Sequence, residues 1–394
     1  MRILMITNLF YPRLGGSEQV VFESSRRLAL RGHEVHVLTE RMQPEWPLYE
    51  QVESIHIHRG PVRFGNPVVR FGSGVLQAAR LFKHLIAEYD FDVLHFHLTL
   101  TAIGVLLCRE SKRVGRIASF YGPWDEEELV EKEVTDTWQP HHIKAAIFRF
   151  LQRYVLQHSA RTIILSDYSL TQVHHLMETT ESCVKIPGGV DLNRFHPAPD
   201  RDEVKKRLDL PCNQPVLLTV RRLVPRMGVD TLIEAMPHLL DRKPGLILVV
   251  GSDGPLRLTL ESRMETLGIR DHIRFTGFIS YEDLPLYYQA ADLFVMPTKA
   301  LEGFGLPTIE SMACGTPTLG TDIGSNTEII GKFDPRLLIP EATPEGISKT
   351  VLSAFDLCAS DDRIRTRCRQ YVEERFNWDH LIDTLEKTYR SLKD

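Results

Sequence analysis

The sequence predicts an α/β protein made of two doubly wound, Rossmann-like domains. Three observations carry that reading. The chain has 394 residues, too many for one typical hydrophobic core. Short apolar runs alternate with longer helical patterns, as βαβ units around a parallel sheet require. The alternation breaks once, at "IPGGVDLNRFHPAPD" (186–200), a stretch rich in Gly, Pro and Asp, and then restarts. The expected boundaries are 1–187 for the first domain and 188–375 for the second.

In chain order, "RILMIT" (2–7) reads as the first strand, followed by a turn at Gly15-Gly16. A helix follows from Ser17, where Ser17 and Glu18 suit a helix start and Val20, Val21, Leu28 and Leu30 supply part of an apolar face. "HEVHVLT", "FDVLHFH", "GRIASF" and "ARTIILS" read as further strands. Beyond the linker come "PVLLTV" (215–220), "LILVVG" (246–251), "IRFTG" (273–277), "DLFVMP" (292–297) and "TPTLGT" (316–321). Ligands of such sheets bind beyond the carboxyl ends of the strands. Gly15-Gly16, Arg222, Gly277 and the loop at Glu302 all follow strands. They are expected to converge on a cleft across which the two domains face each other.

Composition narrows the function classes. Residues 1–185 hold 21 basic and 21 acidic side chains, so the net charge of −5 lies in the remainder, while 12 of the 16 histidines lie in that neutral half. Neither half is basic enough for nucleic acid to be the main partner. The six cysteines are scattered, without the spacing of a zinc site or disulfide framework. No run approaches 18 apolar residues, and the N-terminus reads as a strand rather than a signal peptide, so a cytoplasmic protein is expected. The segment 142–157 is amphipathic, with Lys144, Arg149 and Arg153. It reads as a domain helix, and it leaves open a peripheral contact with the inner face of the membrane.

The stretch "ALEGFGLPTIESMACGTP" (300–317) sets Glu302 and Glu310 on either side of a glycine-bearing turn, with seven residues between them. Taken alone, Glu310 would be a first-turn helix acid and Glu302 a loop charge. Combined with "IPGGVDLNRF", "RRLVPRMGVDTLIEAM", "GSDGPLR" and "FTGFIS", however, the stretch resembles the retaining GT-B glycosyltransferases of family 4 (glycosyl transferases group 1). The resemblance runs from Met1 to the final helix. It implies that residues 376–394 return to the first domain, which binds the acceptor, and that the second domain binds a nucleotide-sugar donor.

By this resemblance Glu310 holds the ribose diol and Glu302 lies at the sugar ring. A carboxylate accepting from a vicinal diol fits that role, since bonds to charged groups contribute about 1.5–3 kcal/mol. Gly303 and Gly305 would let backbone amides approach the sugar and phosphates, with donors at Phe304, Gly305, Leu306 and Thr308 and the helix N-terminus favouring the diphosphate. The resemblance adds Gly15 and Gly16 at the β-phosphate, and Phe278 and Ile279 beside the nucleotide. Arg222 can hold a diphosphate with its fork of donors. No metal or other cofactor is implied.

Two positions depart from the family pattern. A lysine is expected where "RMG" has Met227, and Arg226 either substitutes for it or is merely solvated. A histidine is common where "SFYGP" has Tyr121, a phenol that donates a hydrogen bond but does not become a cation. Tyr121 is either a third catalytic group beside Glu302 and Arg222 or part of a wall. Trp124 is a sugar-stacking surface or a core edge. His95 and His97 alternate on one strand and share a face, with His97 the acceptor-side candidate.

The expected activity is retaining, metal-independent transfer of a hexose, with UDP-glucose the favoured donor, to a saccharide or lipid-linked acceptor in polysaccharide or glycolipid synthesis. The resemblance implies front-face attack, with the leaving phosphate helping to accept the acceptor's proton. Two alternatives stay open: a non-catalytic nucleotide-sugar-binding protein and a GT-B nucleotide-sugar epimerase. Acceptor, linkage and oligomeric state stay undetermined at this point.

Overall fold

Strand β1 (Arg2–Ile6) lies in the interior of the first sheet, and four of its five residues are buried. The structure, a computed structural model, describes residues 1–12, 15–61, 67–97, 99–131 and 140–392. Around β1 lie β2 (Glu34–Thr39), β3 (Tyr49–Val52), β4 (Ile55–Arg59), β5 (Val93–Phe96), β6 (Gly115–Phe120), β7 (Arg161–Ile164) and β8 (Cys183–Lys185). Their order is β3-β4-β2-β1-β5-β6-β7-β8, parallel except for the β3–β4 hairpin.

That hairpin is absent from the expectations above. Its strands are short, β3 with no buried residue and β4 alternating buried and partly exposed positions, so they lack the continuous apolar run that marks the central strands. It also carries part of the histidine excess. His36 stacks on His56 and His58, with ring centres 4.7 and 5.2 Å apart, and burial lowers the His58 pKa to about 4. Burial lowers the His36 pKa as well, so His36 and His58 are neutral packing groups near the sheet edge.

The second sheet is built from β9 (Val216–Val220), β10 (Ile247–Gly251), β11 (Ile273–Gly277), β12 (Leu293–Met296), β13 (Thr318–Thr321) and β14 (Leu338–Ile339). Its order is β11-β10-β9-β12-β13-β14, and every pairing is parallel. The strands β9, β10 and β12 are buried almost throughout, as a sheet covered on both faces demands. Successive strands are added on one side of β9 and then, from β12, on the other. The order therefore reverses between β9 and β12, and the crevice at their carboxyl ends is where such sheets bind ligands. In the first sheet the same reversal lies between β1 and β5.

The chain divides into two compact units. One comprises Met1–Glu128, Trp138–Gly188 and Trp378–Asp394, and the other Leu129–Thr137 and Gly189–Asn377. The last helix, Trp378–Arg390, thus belongs to the first unit. Its apolar stripe of Trp378, Leu381, Ile382, Leu385 and Tyr389 is buried against Ile3, Met5, Val35 and Ile117. Arg31 pairs with Asp383 at 2.6 Å, and His33 with Glu386 at 2.7 Å.

The deepest tie is polar. The Tyr389 hydroxyl lies 2.7 Å from His95 Nδ1, and the Ser119 hydroxyl 2.8 Å from His95 Nε2. Burial drives the His95 pKa well below its ordinary value, so the ring is neutral, with one nitrogen donating and the other accepting. Removing the hydroxyl leaves a buried nitrogen unsatisfied, at a cost of about 1–3 kcal/mol. Tyr389→Phe should therefore lower unfolding free energy in urea by that amount. An unchanged midpoint would show that the bond contributes nothing net.

Candidate functional site

Two consecutive arginines directly follow β9 and diverge. Side chains alternate along a strand, so Arg221 and Arg222 point to opposite sides. Arg221 is 7% exposed, and its guanidinium Nη2 donates to Glu302 Oε2 at 2.5 Å and Thr298 Oγ1 at 3.3 Å. Arg222 is exposed and pairs with Glu131 of the same unit.

Glu302 sits in the loop after β12. Thr298 Oγ1 also donates to Glu302 Oε2, at 2.7 Å, so both donors fall on one carboxylate oxygen. The other, Oε1, accepts no hydrogen bond among the described residues and faces the glycine turn. A Cβ placed on Gly305 would lie 3.4 Å from it. Gly305 itself has φ +76° and caps the helix Leu306–Ala313, a left-handed conformation that suits glycine.

The loop is held on several sides. Arg226 Nη1 donates to Leu301 O at 3.2 Å, and the Ser325 amide donates to Glu302 O at 2.9 Å. Arg226 also pairs with Glu131 at 3.1 Å, so its charge braces the loop that carries Glu302. Gly228, at φ +70°, allows the next approach, because a Cβ there would lie 1.8 Å from Pro297 O.

Glu310 is the fifth residue of its helix, beyond the first turn, so it is not the first-turn acid expected of it when the stretch is taken alone. It turns inward, 7% exposed, and accepts from the Tyr288 hydroxyl at 3.0 Å. Burial raises its pKa to about 7, against the opposing effect of the Tyr288 bond. Near neutrality it is divided between acid and carboxylate.

The glycine turn differs from expectation in its donors. The Thr308 amide donates to Gly305 O at 2.9 Å, because it already closes the first helical turn. Phe304, Gly305 and Leu306 keep amides without a protein acceptor among the described residues. Phe304 offers only its backbone, since its ring is buried edge-on against Phe376. Phe278, just past β11, is 77% exposed, and Ile279 lies over Gly251 at the end of β10.

The remaining candidates lie on the first unit. Gly15 and Gly16 are exposed at the start of the helix Gly16–Leu30, with open space where a Gly16 side chain would stand. The Tyr121 hydroxyl lies 2.8 Å from His97 Nδ1, and burial pushes its pKa up. His97 is 3% exposed, and burial lowers its pKa to about 3, so it is a neutral support for Tyr121 rather than an open acceptor contact. Trp124 packs edge-on against Phe148, with ring centres 5.7 Å apart. It lines a cavity of about 20 Å³ with His97, Ser119, Tyr121 and Gln152, room for a water rather than a sugar ring.

Residues 200–375 match the glycosyl transferases group 1 family, and residues 14–194 match Glycosyltransferase Family 4. The chain belongs to the family 4 glycosyltransferases of the GT-B fold. It is 27% identical to a GDP-mannose-dependent alpha-(1-6)-phosphatidylinositol monomannoside mannosyltransferase of Mycobacterium tuberculosis, over 98% of this chain and 97% of that one. It is 25% identical to a D-inositol 3-phosphate glycosyltransferase of Jonesia denitrificans, over 95% and 91%. Its fold resembles that of a sucrose-phosphate synthase from Thermosynechococcus elongatus, with TM-score 0.82 and 21% identity over 99% and 98% of the two chains.

Sequence reasoning missed Arg221, Thr298 and Tyr288 in this glycosyltransferase. The arginine had a signal: of two cations that directly follow a strand, only one can face solvent.

The Glu310 shift fixes a pH dependence of stability. Its folded pKa of about 7 exceeds the ordinary 4.5, so the folded state binds the extra proton and stability falls as pH rises between those values. The full span is on the order of 3 kcal/mol. Glu310→Gln should flatten the fall between pH 5 and pH 7.5, measured by urea unfolding. Parallel profiles for parent and variant would remove Glu310 as its source.

Proposed function

We propose that this glycosyltransferase transfers a hexose from a nucleoside diphosphate donor with retention of configuration and without a resident metal. The observation that carries the reading is the half-occupied carboxylate of Glu302. One oxygen is fixed by Arg221 and Thr298, and the other is open beside Gly305 at the switch point between β9 and β12. Such a group can accept from sugar hydroxyls or stabilise positive charge as it develops at the anomeric carbon. The open amides of Phe304 to Leu306 face a phosphate with the same polarity as the helix start behind them. Glu310 then takes the ribose diol, and Phe278 the nucleotide side. The leaving phosphate, held by backbone donors, receives the acceptor's proton.

The donor we put first is GDP-mannose rather than UDP-glucose. The full-length Mycobacterium tuberculosis relative is named for GDP-mannose, and a shared fold alone does not select a sugar. For the acceptor we favour an inositol-containing headgroup, on the names of the same relative and of the inositol phosphate enzyme.

Calorimetry with GDP-mannose, UDP-glucose and an ADP-sugar should give the tightest binding for GDP-mannose. Tighter UDP-glucose binding would reverse the assignment. Glu310→Ala should weaken the free nucleoside diphosphate by about 1.5–3 kcal/mol. Glu302→Gln should leave that affinity nearly intact while turnover drops tenfold or more, about 1.4 kcal/mol. Equal losses in binding and rate would move Glu302 to the diphosphate. Transfer should also persist in excess EDTA, and a rate restored only by added divalent cation would overturn the metal-free reading.

A further inference from the structure

Four basic side chains stand around the Glu302 loop, and three are committed elsewhere. Arg222 pairs with Glu131. Arg226 pairs with Glu131 and with Leu301 O. Lys299 pairs with Asp230 at 2.6 Å. Only Arg221 touches Glu302, and its Nε is buried without a hydrogen-bond partner among the described residues.

Besides Glu302 and Thr298, that guanidinium meets two thioethers. Met296 Sδ lies 3.6 Å from Nη1, and Met227 Sδ lies 2.6 Å from Nη2. Met227 therefore meets the same Nη2 that grips Glu302. A lysine at 227 would run past the position of that sulfur by two more bonds. Its ammonium would then reach either Arg221 or, with Arg221 gone, the Glu302 carboxylate.

Resting on the function proposed above, we propose that Arg221 is the positioning residue of the transfer reaction and that Met227 is its coupled partner. Arg221 holds Oε2 of Glu302 so that Oε1 is presented to the sugar, and it balances the carboxylate inside the protein. Met227 is a thioether because a second cation at that place would repel the first, and like charges in contact are costly where water is excluded. The cation missing from 227 is thus supplied from the end of β9, and Arg226, the sequence-based substitute, braces the backbone of the loop instead.

A charge transplant tests the coupling. Four proteins are compared: the parent, Arg221→Ala, Met227→Lys, and the two changes together. Turnover is followed as release of nucleoside diphosphate from GDP-mannose and, in parallel, from UDP-glucose, with phosphatidylinositol vesicles as acceptor. Arg221→Ala should lower kcat at least tenfold and change the affinity for free GDP or UDP less than threefold, because Arg221 acts through Glu302. Met227→Lys alone should gain nothing in rate and lower the melting temperature. The double variant should recover kcat to within about threefold of the parent.

Should Arg221→Ala not fold, Arg221→Gln, which keeps a donor for Glu302 without the charge, takes its place in the comparison. Parental kcat in the Arg221 variant, a loss confined to KM, or a double variant no faster than the single one would each overturn the inference. A parent that binds and turns over no nucleotide sugar would instead sink the function on which the inference rests.

Discussion

A guanidinium and a carboxylate buried together at the switch point of the second sheet constrain everything around them. Taking two charges out of water costs several kcal/mol per ion, repaid only by close geometry and further hydrogen bonds. Thr298 supplies one such bond, and the ends of β9 and β12 must lie close enough for Arg221 to reach Glu302. The close approach of Gly228 to Pro297 and the left-handed backbone of Leu301, at φ 60°, follow from the same demand. A non-glycine residue in that conformation persists only where its neighbours over-determine it. Here Arg226 holds the Leu301 carbonyl and Ser325 the Glu302 carbonyl.

The two glutamates meet the cost of burial in opposite ways. Glu302 has an internal counter-ion. Glu310 has only a phenol, so burial raises its pKa to about 7 and it keeps a proton part of the time. A ligand that brings two hydroxyl donors favours the ionised form, just as a hydrogen bond to any carboxylate lowers its pKa. On the proposed reading, nucleotide binding therefore releases a proton at Glu310, whereas Glu302 enters and leaves the cycle with its charge already balanced.

Much of this was legible in the sequence. The alternation of apolar runs located ten of the twelve strands outside the hairpin, missing β8 and β14 because they are only three and two residues long. The antiparallel hairpin escaped as well, since Ile55 and Ile57 alternate with histidines rather than forming a run. The glutamate spacing marked the loop. What the spacing could not convey was direction: whether Arg221 or Arg222 turned inward, and which oxygen of Glu302 stayed open. Those depend on strand register and on contacts from Met227, Met296 and Thr298. The donor count on the turn failed for a similar reason, because whether the Thr308 amide is spent on Gly305 is decided by the helix starting at Leu306.

The first unit bears on proton handling. His95 and His97 are buried and neutral, and the Tyr121 phenol is held protonated by burial. A general base near neutral pH needs a pKa near that pH, and none of these three has one. They can orient and donate, and His97 can fix the Tyr121 hydroxyl, but they cannot take up the proton that the acceptor loses. Glu302 has one carboxylate oxygen committed to Arg221 and Thr298. Glu310, whose pKa of about 7 would suit a base, is taken up by the ribose diol on the proposed reading, and that reading therefore assigns proton acceptance to the leaving phosphate. The side chains contribute fixed charge and geometry, which is what a site built around one buried ion pair is able to supply.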